Sequence, residues 1–202
     1  MNRPNESRRQ QLRKRIRSER RSLTAHDRKR YAGLLAKNLT KTNLFRNSQH
    51  IAFYIANDGE LDLLPLMKIA WRMKKICYLP ILSPPFRQNM LYFAPYKQGD
   101  PLIPNQYAIP EPKVSPRHWR PGRSLNLVLT PLVAFDARGN RLGMGGGYYD
   151  RTFAYLRNHH RWLRPRLVGV AYDFQQVDQL DSAAWDVPLS AIATPGQLIE
   201  CE

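Results

Sequence analysis

Ile51-Ala52-Phe53-Tyr54-Ile55 and Ile76-Cys77-Tyr78-Leu79-Pro80-Ile81-Leu82 decide how this chain folds. Each run is continuously apolar instead of alternating, the pattern of a strand covered on both faces. Between them Asn57-Asp58-Gly59-Glu60 turns the chain. Leu63 to Lys75 then carries Leu63, Leu66, Met67, Ala70 and Trp71 on one helical face. Strand, helix and strand in that order predict a parallel unit with a right-handed crossover. Pro84-Pro85 ends the second strand.

Reading toward the N-terminus, residues 25–42 predict a helix with Tyr31, Leu34, Leu35 and Leu39 on one face, entered through Thr24-Ala25-His26-Asp27, a variant capping box. Residues 8–21 predict an earlier helix with a thin apolar stripe at Leu12, Ile16 and Leu23. Reading toward the C-terminus, strands are expected at Met90–Ala94, Leu125–Val133, Leu167–Ala171 and Ala191–Thr194, with Thr130-Pro131 marking a bend or an end. Residues 95–124, rich in Pro and Gly, read as one long ordered loop. Asp136 to Gly147 read as a glycine-rich loop, and Tyr148 to about His160 as a helix. The sum is an α/β class fold: an open, mostly parallel sheet with helices on both faces, in three layers. We expect one domain over residues 1–202, with a basic helix over 1–23 packed on it.

The chain has 202 residues and a hydrophobic content of 43%, enough for a real core, so disorder throughout is excluded. No apolar stretch reaches the roughly 18–20 residues of a membrane span, and the polar, basic N-terminus lacks the apolar core of a secretory signal. The expectation is a cytoplasmic protein without a membrane partner. Cys77 and Cys201 form no metal-binding pattern; Cys77 reads as a buried thiol. The net charge is +16, unevenly spread. Residues 1–46 hold 15 Lys/Arg against 3 Asp/Glu (+12), and the other 156 hold 17 against 13 (+4). Such a basic segment attracts polyanions: nucleic acid, nucleotide phosphates or polyglutamylated cofactors.

The chemistry concentrates in Gly139-Asn140-Arg141-Leu142-Gly143-Met144-Gly145-Gly146-Gly147-Tyr148-Tyr149-Asp150-Arg151. It follows a buried strand and precedes a helix, the place where α/β sheets bind ligands. Glycines let backbone N–H groups approach an anion, a helix start adds positive partial charge, and Arg141 and Arg151 add full charges. The spacing is neither a dinucleotide fingerprint nor a Walker A loop. A plain turn built of glycines is the alternative. Asp150 is either an acid favoured by a helix start or a magnesium ligand beside a phosphate. Tyr149 fits the core face, and Tyr148 either stacks on a ring or lies on the surface. His159-His160 read as surface residues near a helix end.

The run Arg141 to Arg151, preceded by Ala134-Phe135-Asp136, resembles the signature of the 5-formyltetrahydrofolate cyclo-ligase family. The resemblance extends from about residue 9 to Thr194. It takes in Gly59-Glu60, Ile109-Pro110-Glu111-Pro112, Gln175 and Trp185-Asp186-Val187-Pro188. It implies an open α/β/α fold and cyclisation of 5-formyltetrahydrofolate to 5,10-methenyltetrahydrofolate, with ATP consumed and magnesium required. Residue by residue, it implies ATP contacts at Arg9, Gln10, Gln11, Leu12 and Arg13, and again at Arg141, Leu142, Gly143, Met144, Gly145, Gly146, Gly147, Tyr148 and Tyr149. It implies folate contacts at Ile55 and Glu60 and at Met144 through Tyr148, with metal ligation by Asp150 and Asp186. Met144 and Gly146 are variable positions in the family, the latter often lysine, and Arg9 replaces a frequent lysine. No protein nucleophile is identified.

Arg9 and Arg13, four apart, share a helix face; Arg17, Arg20 and Arg21 read as a solvated one. Two other readings stand beside the resemblance. A nucleic-acid-binding module would use the basic N-terminus, but no helix-turn-helix, RRM or zinc pattern supports a nucleic-acid partner. A relative of the same fold would act on another anionic substrate without ATP. A monomer is expected.

Overall fold

The computed structural model describes residues 3–83, 90–157 and 164–201. The helices are α1 (Arg3–Ser22), α2 (Ala25–Leu39), α3 (Asn43–Arg46), α4 (Leu64–Arg72) and α5 (Tyr148–Thr152). The strands are β1 (His50–Ala52), β2 (Ile76–Leu82), β3 (Leu91–Pro95), β4 (Leu102–Pro104), β5 (Pro110–Pro112), β6 (Arg120–Pro121), β7 (Leu127–Pro131), β8 (Ala134–Phe135), β9 (Arg141–Leu142), β10 (Arg166–Val170), β11 (Ala191–Ala193) and β12 (Leu198–Glu200).

Eight strands form one sheet in the order β12-β11-β10-β7-β1-β2-β3-β6. The five from β11 to β2 are parallel, and β12 and β3 are antiparallel to their neighbours. Ile51 pairs with Cys77 on one side and Leu127 on the other, so the two runs that predicted the parallel unit form its centre. From β1 the chain builds outward through β2 and β3, then returns to place β7 on the other flank of β1. The strand order therefore reverses between β1 and β7. The crevice at the carboxyl ends of those strands is where an α/β sheet takes a ligand.

Alternate residues of each strand serve opposite faces. Ile51, Leu127, Leu129 and Val168 pack under Leu35 and Leu39 of α2, Phe45 of α3 and Leu66 and Met67 of α4. Ala52, Val128, Leu167 and Ile192 pack on the other face with Phe135, Phe153, Leu156, Val187 and Leu189. This second layer is thin. The helix expected over 148–160 is α5, five residues long, followed by a 3-10 turn at Ala154–Leu156, and His159 and His160 lie outside the described residues. The stretch 95–124, expected as a single loop, contains three short strands. β4 and β5 make a separate hairpin, and β6 adds to the sheet edge beside β3. The glycine-rich loop is likewise headed by a hairpin of β8 and β9. These strands are two or three residues long, too short to leave a periodic trace in the sequence. No helix among the described residues is long and apolar enough to cross a membrane.

Thr24 caps α2 as expected, its hydroxyl accepting from the Asp27 N–H at 3.1 Å. The N-terminal helix departs from the solvated face expected of Arg17, Arg20 and Arg21. It lies over the carboxyl ends of the strands, with Ile16 and Arg20 each 1% exposed. Arg17 and Arg20 donate to Asp58 Oδ2 at 2.6 and 3.0 Å, and Arg21 donates to Asp58 Oδ1. Arg20 also donates to the Leu132 carbonyl at 3.3 Å. Asp58 sits in a left-handed turn (φ 51°) directly after β1, which aims its carboxylate at the helix. Burial raises its pKa, but the hydrogen bonds and charges of these arginines outweigh that and hold it below the usual carboxylate range. Gly59 fits beneath: a Cβ there would lie 3.0 Å from the Arg20 carbonyl oxygen.

Removing one member of a buried ion pair strands the other's charge. Asp58→Asn keeps a residue that tolerates left-handed backbone and removes the charge. It is expected to lower stability by roughly 3 kcal/mol in urea denaturation and to expose the segment 3–22 to protease. A loss within the few tenths expected of an exposed ion pair would contradict this account of how α1 is held.

Candidate active site

Three segments converge under α1. The first follows β1. Ile55 is half-buried there, and the Asn57–Glu60 turn closes through the Glu60 N–H to the Asn57 carbonyl at 3.0 Å. The Glu60 carboxylate accepts from the Asn57 N–H at 3.1 Å. Burial pushes its pKa up to about 7, with Asp58 adding to the shift and the Asn57 hydrogen bond and Arg20 opposing it. Burial, and then the charge of Glu60, also raise the hydroxyls of Tyr54 and Tyr149. Glu60 is therefore partly dehydrated, and its charge is felt by two tyrosines.

The second segment follows β7. Asp136, wholly buried, anchors it by accepting four hydrogen bonds: from Arg138 N, Asn140 N and Asn140 Nδ2 within the hairpin turn, and from Leu180 N. Gln175 donates to the Leu132 and Val133 carbonyls at 3.0 and 2.8 Å. The hairpin so fixed projects Gly143–Gly147 toward α1. Arg13 Nε donates to the Gly143 carbonyl at 2.9 Å, and a Cβ built on Gly145 would be 4.0 Å from Arg13 Nη2. Gly145 (φ 106°) and Gly147 (φ 62°) are left-handed, a backbone that L side chains resist. Burial, and the like charge of Arg9, pull the Arg13 pKa below the ordinary arginine value, with Glu6 opposing. Arg13 thus faces the glycine loop, with the like charge of Arg9 close by.

The third segment is Asp181–Val187. Asp150 Oδ1 accepts from Arg141 Nη2 at 2.5 Å and from the Val187 N–H at 3.1 Å. Arg141 also donates to the Val187 carbonyl. Asp186 accepts from the Ala183 N–H at 2.8 Å and pairs with Arg9 at 3.9 Å. Asp150 and Asp186, far apart in sequence, thus meet at one loop. Among the described residues no three His, Cys, Asp or Glu side chains gather as a metal cage. Two carboxylates suit magnesium when substrate phosphates and water complete its shell.

The remaining sequence-predicted positions divide by what they can offer. Arg141 is not an open cation: it is buried, and its guanidinium orients Asp150 and Val187. Leu142 is core, leaving only its backbone for a ligand. Gln10 and Gln11 are exposed. Leu12 is half-buried, Met144 is 50% exposed, and Gly146 is exposed at the loop tip with its carbonyl taken by Arg151. Tyr149 stacks on Phe153 in the core, centroids 6.4 Å apart. With only five residues in α5, little helix dipole reaches the loop, so backbone N–H groups and arginines must supply the positive field. Tyr107 was not foreseen. It sits in the connection between β4 and β5, and its hydroxyl lies 2.8 Å from that of Tyr148. The Ile109-Pro110-Glu111-Pro112 match was the only sequence signal near it.

The family model for the 5-formyltetrahydrofolate cyclo-ligase family matches residues 5–195. A Haemophilus influenzae protein named 5-formyltetrahydrofolate cyclo-ligase is 42% identical over 188 residues, 92% of this chain and 96% of its own length. The Escherichia coli K12 protein of that name is 39% identical over 185 residues, 92% of this chain and 99% of its own. The solved structure of Aquifex aeolicus 5,10-methenyltetrahydrofolate synthetase superposes with a TM-score of 0.79 at 28% identity, covering 95% of this chain and 92% of that one.

The dehydration of Glu60 has a pH test. Its folded pKa of about 7 lies above the ordinary 4.5, so its contribution to stability is whole below 4.5 and is lost as pH rises through 7. Glu60→Gln removes that loss. The stability of the variant relative to wild type, from urea midpoints, is expected to rise by on the order of 1–2 kcal/mol between pH 4.5 and 8. A difference independent of pH would show that Glu60 is solvated.

Proposed function

The chain belongs to the 5-formyltetrahydrofolate cyclo-ligase family, and we propose that the recess between Arg13 and Gly143–Gly147 is where this member holds the phosphates of ATP. The reaction is the ATP-dependent cyclisation of 5-formyltetrahydrofolate to 5,10-methenyltetrahydrofolate. A formamide oxygen is a poor leaving group. It attacks the γ-phosphorus, forming an O–P bond as the bond to the β-phosphate oxygen breaks and ADP departs. The neighbouring folate amine then adds to the activated carbon and loses its proton. The C–O bond breaks with its electrons, and phosphate leaves. Such chemistry asks the protein for position and charge neutralisation, not for a nucleophile.

The observation that carries this reading is electrostatic. Arg9 and Arg13 repel one another and Arg13 is partly dehydrated, yet Arg13 points at a loop whose left-handed glycines leave room for an anion, and Arg9 points at the neighbouring loop that carries Asp186. A polyphosphate would relieve the repulsion and accept the loop's N–H groups. Ile55 and Glu60 would hold the folate after β1, with Met144 to Tyr148 along its other side. Asp150 and Asp186 would hold magnesium, which when bound neutralises phosphate charge during transfer. Arg141 would fix the direction of Asp150. The nucleic-acid reading is not favoured: Arg17, Arg20 and Arg21 are committed to Asp58, and Arg9 and Arg13 to loops of the site.

The direct assay is the absorbance of methenyltetrahydrofolate, expected only with ATP and magnesium together. Asp150→Asn retains an acceptor for the Val187 N–H but weakens the metal site. We expect turnover to fall about 100-fold and the magnesium requirement to rise. Unchanged magnesium dependence would remove Asp150 from that role. Gly145→Val places a branched side chain at φ 106° beside Arg13, and the ATP KM is expected to rise about tenfold or more. A folded variant with wild-type ATP kinetics would refute the recess.

A further inference from the structure

α1 serves as a ruler along the site. Arg20 meets the turn after β1 and the Leu132 carbonyl, Arg13 meets Gly143, and Arg9 meets the Asp181 carbonyl at 3.4 Å and Asp186 at 3.9 Å. At ~1.5 Å per residue these anchor points are spaced by about 10 Å and then about 6 Å. On the functional reading above, the formyl oxygen lies on the Glu60 side and must face the γ-phosphorus. The triphosphate then runs along α1 past Arg13, and the nucleoside emerges beyond Arg9, over the loop 181–186.

That loop is held from several sides. Besides the contacts of Arg9, the Asp186 N–H donates to the Ala183 carbonyl at 2.9 Å, Arg157 donates to the Ala184 carbonyl at 3.4 Å, and Asp150 holds the Val187 N–H. Yet it presents Trp185 at 65% exposure, the most exposed large hydrophobic side chain among the described residues. Trp71 and Trp119 each donate the indole N–H to a carbonyl, at 3.3 and 3.0 Å, and each lies against a tyrosine ring. Trp185 has no such ring or hydrogen-bond partner among the described residues. An indole held bare by an anchored loop, next to the carboxylate that pairs with Arg9, has the form of a stacking platform.

We propose that Trp185 stacks on the adenine ring of ATP and is the residue that gives this enzyme its affinity for a nucleotide over a bare polyphosphate. Stacking energy comes from the π face and is gained equally in ground and transition states, so it appears in KM and not in kcat.

The test is steady-state kinetics of wild type, Trp185→Ala and Trp185→Phe, with inorganic tripolyphosphate as competing inhibitor and intrinsic fluorescence as a binding signal. Trp185→Ala is expected to raise the ATP KM about tenfold or more. It should leave the folate KM, saturating kcat and tripolyphosphate inhibition within about twofold, and Trp185→Phe should restore most of the ATP affinity. ADP should quench wild-type emission and tripolyphosphate should not, and the quench should vanish in Trp185→Phe. An unaltered ATP KM in Trp185→Ala overturns the stacking while leaving the cyclo-ligase site standing, as does an equal loss of affinity for tripolyphosphate. Wild-type enzyme with neither an ATP requirement nor an ADP signal overturns both.

Discussion

Asp58 and the three arginines that meet it decide where the N-terminal helix lies, and the site exists only while that helix is in place. Without it, Arg9 and Arg13 would be two more charges on a basic arm. With it, they stand over the glycine loop and the loop 181–186. Arg20 is the member that matters most for stability, since it is buried and its charge cannot be left unpaired. Arg17 and Arg21 are more exposed and add mainly to the field on Asp58. A local turn after the first strand thereby fixes an element that begins more than fifty residues earlier.

The opposite wall is built by a different means. The glycine loop is held through its carbonyls, Gly143 by Arg13 and Gly146 by Arg151. Asp136, with all its bonds inside the hairpin and at Leu180, sets the base from which the loop projects, and Arg141 joins that base to Asp150 and Val187. Charge is therefore placed asymmetrically. The helix wall carries Arg9, paired with Asp186, and Arg13, paired with Glu6 and donating to the Gly143 carbonyl, while Asp150 is held by Arg141. An anion can enter without displacing a buried ion pair. A metal carried in on that anion meets carboxylates already in position.

The centre of the fold was legible because the β1 and β2 runs are apolar without alternation and are bounded by turn residues, which physical chemistry assigns to buried parallel strands. What escaped notice is short. The β4–β5 and β8–β9 hairpins have strands of two or three residues, in which alternation cannot be seen, and Tyr107 is defined only by the ring it meets. The glycine run and Asp150 were visible as candidates, while Asp186 had no local signature and drew its meaning from the resemblance. Arg17, Arg20 and Arg21 read as a solvated face for a physical reason: helical periodicity identifies a face but not what it faces. Asp58, in a turn of ordinary composition, carried no mark of its role. Nor does sequence distinguish an arginine that meets substrate from one, such as Arg141, that is buried to orient an acid.

The central claim is that the recess between Arg13 and Gly143–Gly147 grips nucleotide phosphates. A crystal structure with a non-hydrolysable ATP analogue, magnesium and 5-formyltetrahydrofolate examines it most directly. The account predicts phosphate oxygens about 3 Å from the Arg13 guanidinium and from backbone N–H groups of the glycine loop, with the terminal phosphate turned toward Glu60. Phosphates bound elsewhere, with Arg13 still resting on the Gly143 carbonyl and the recess filled by solvent, would contradict it.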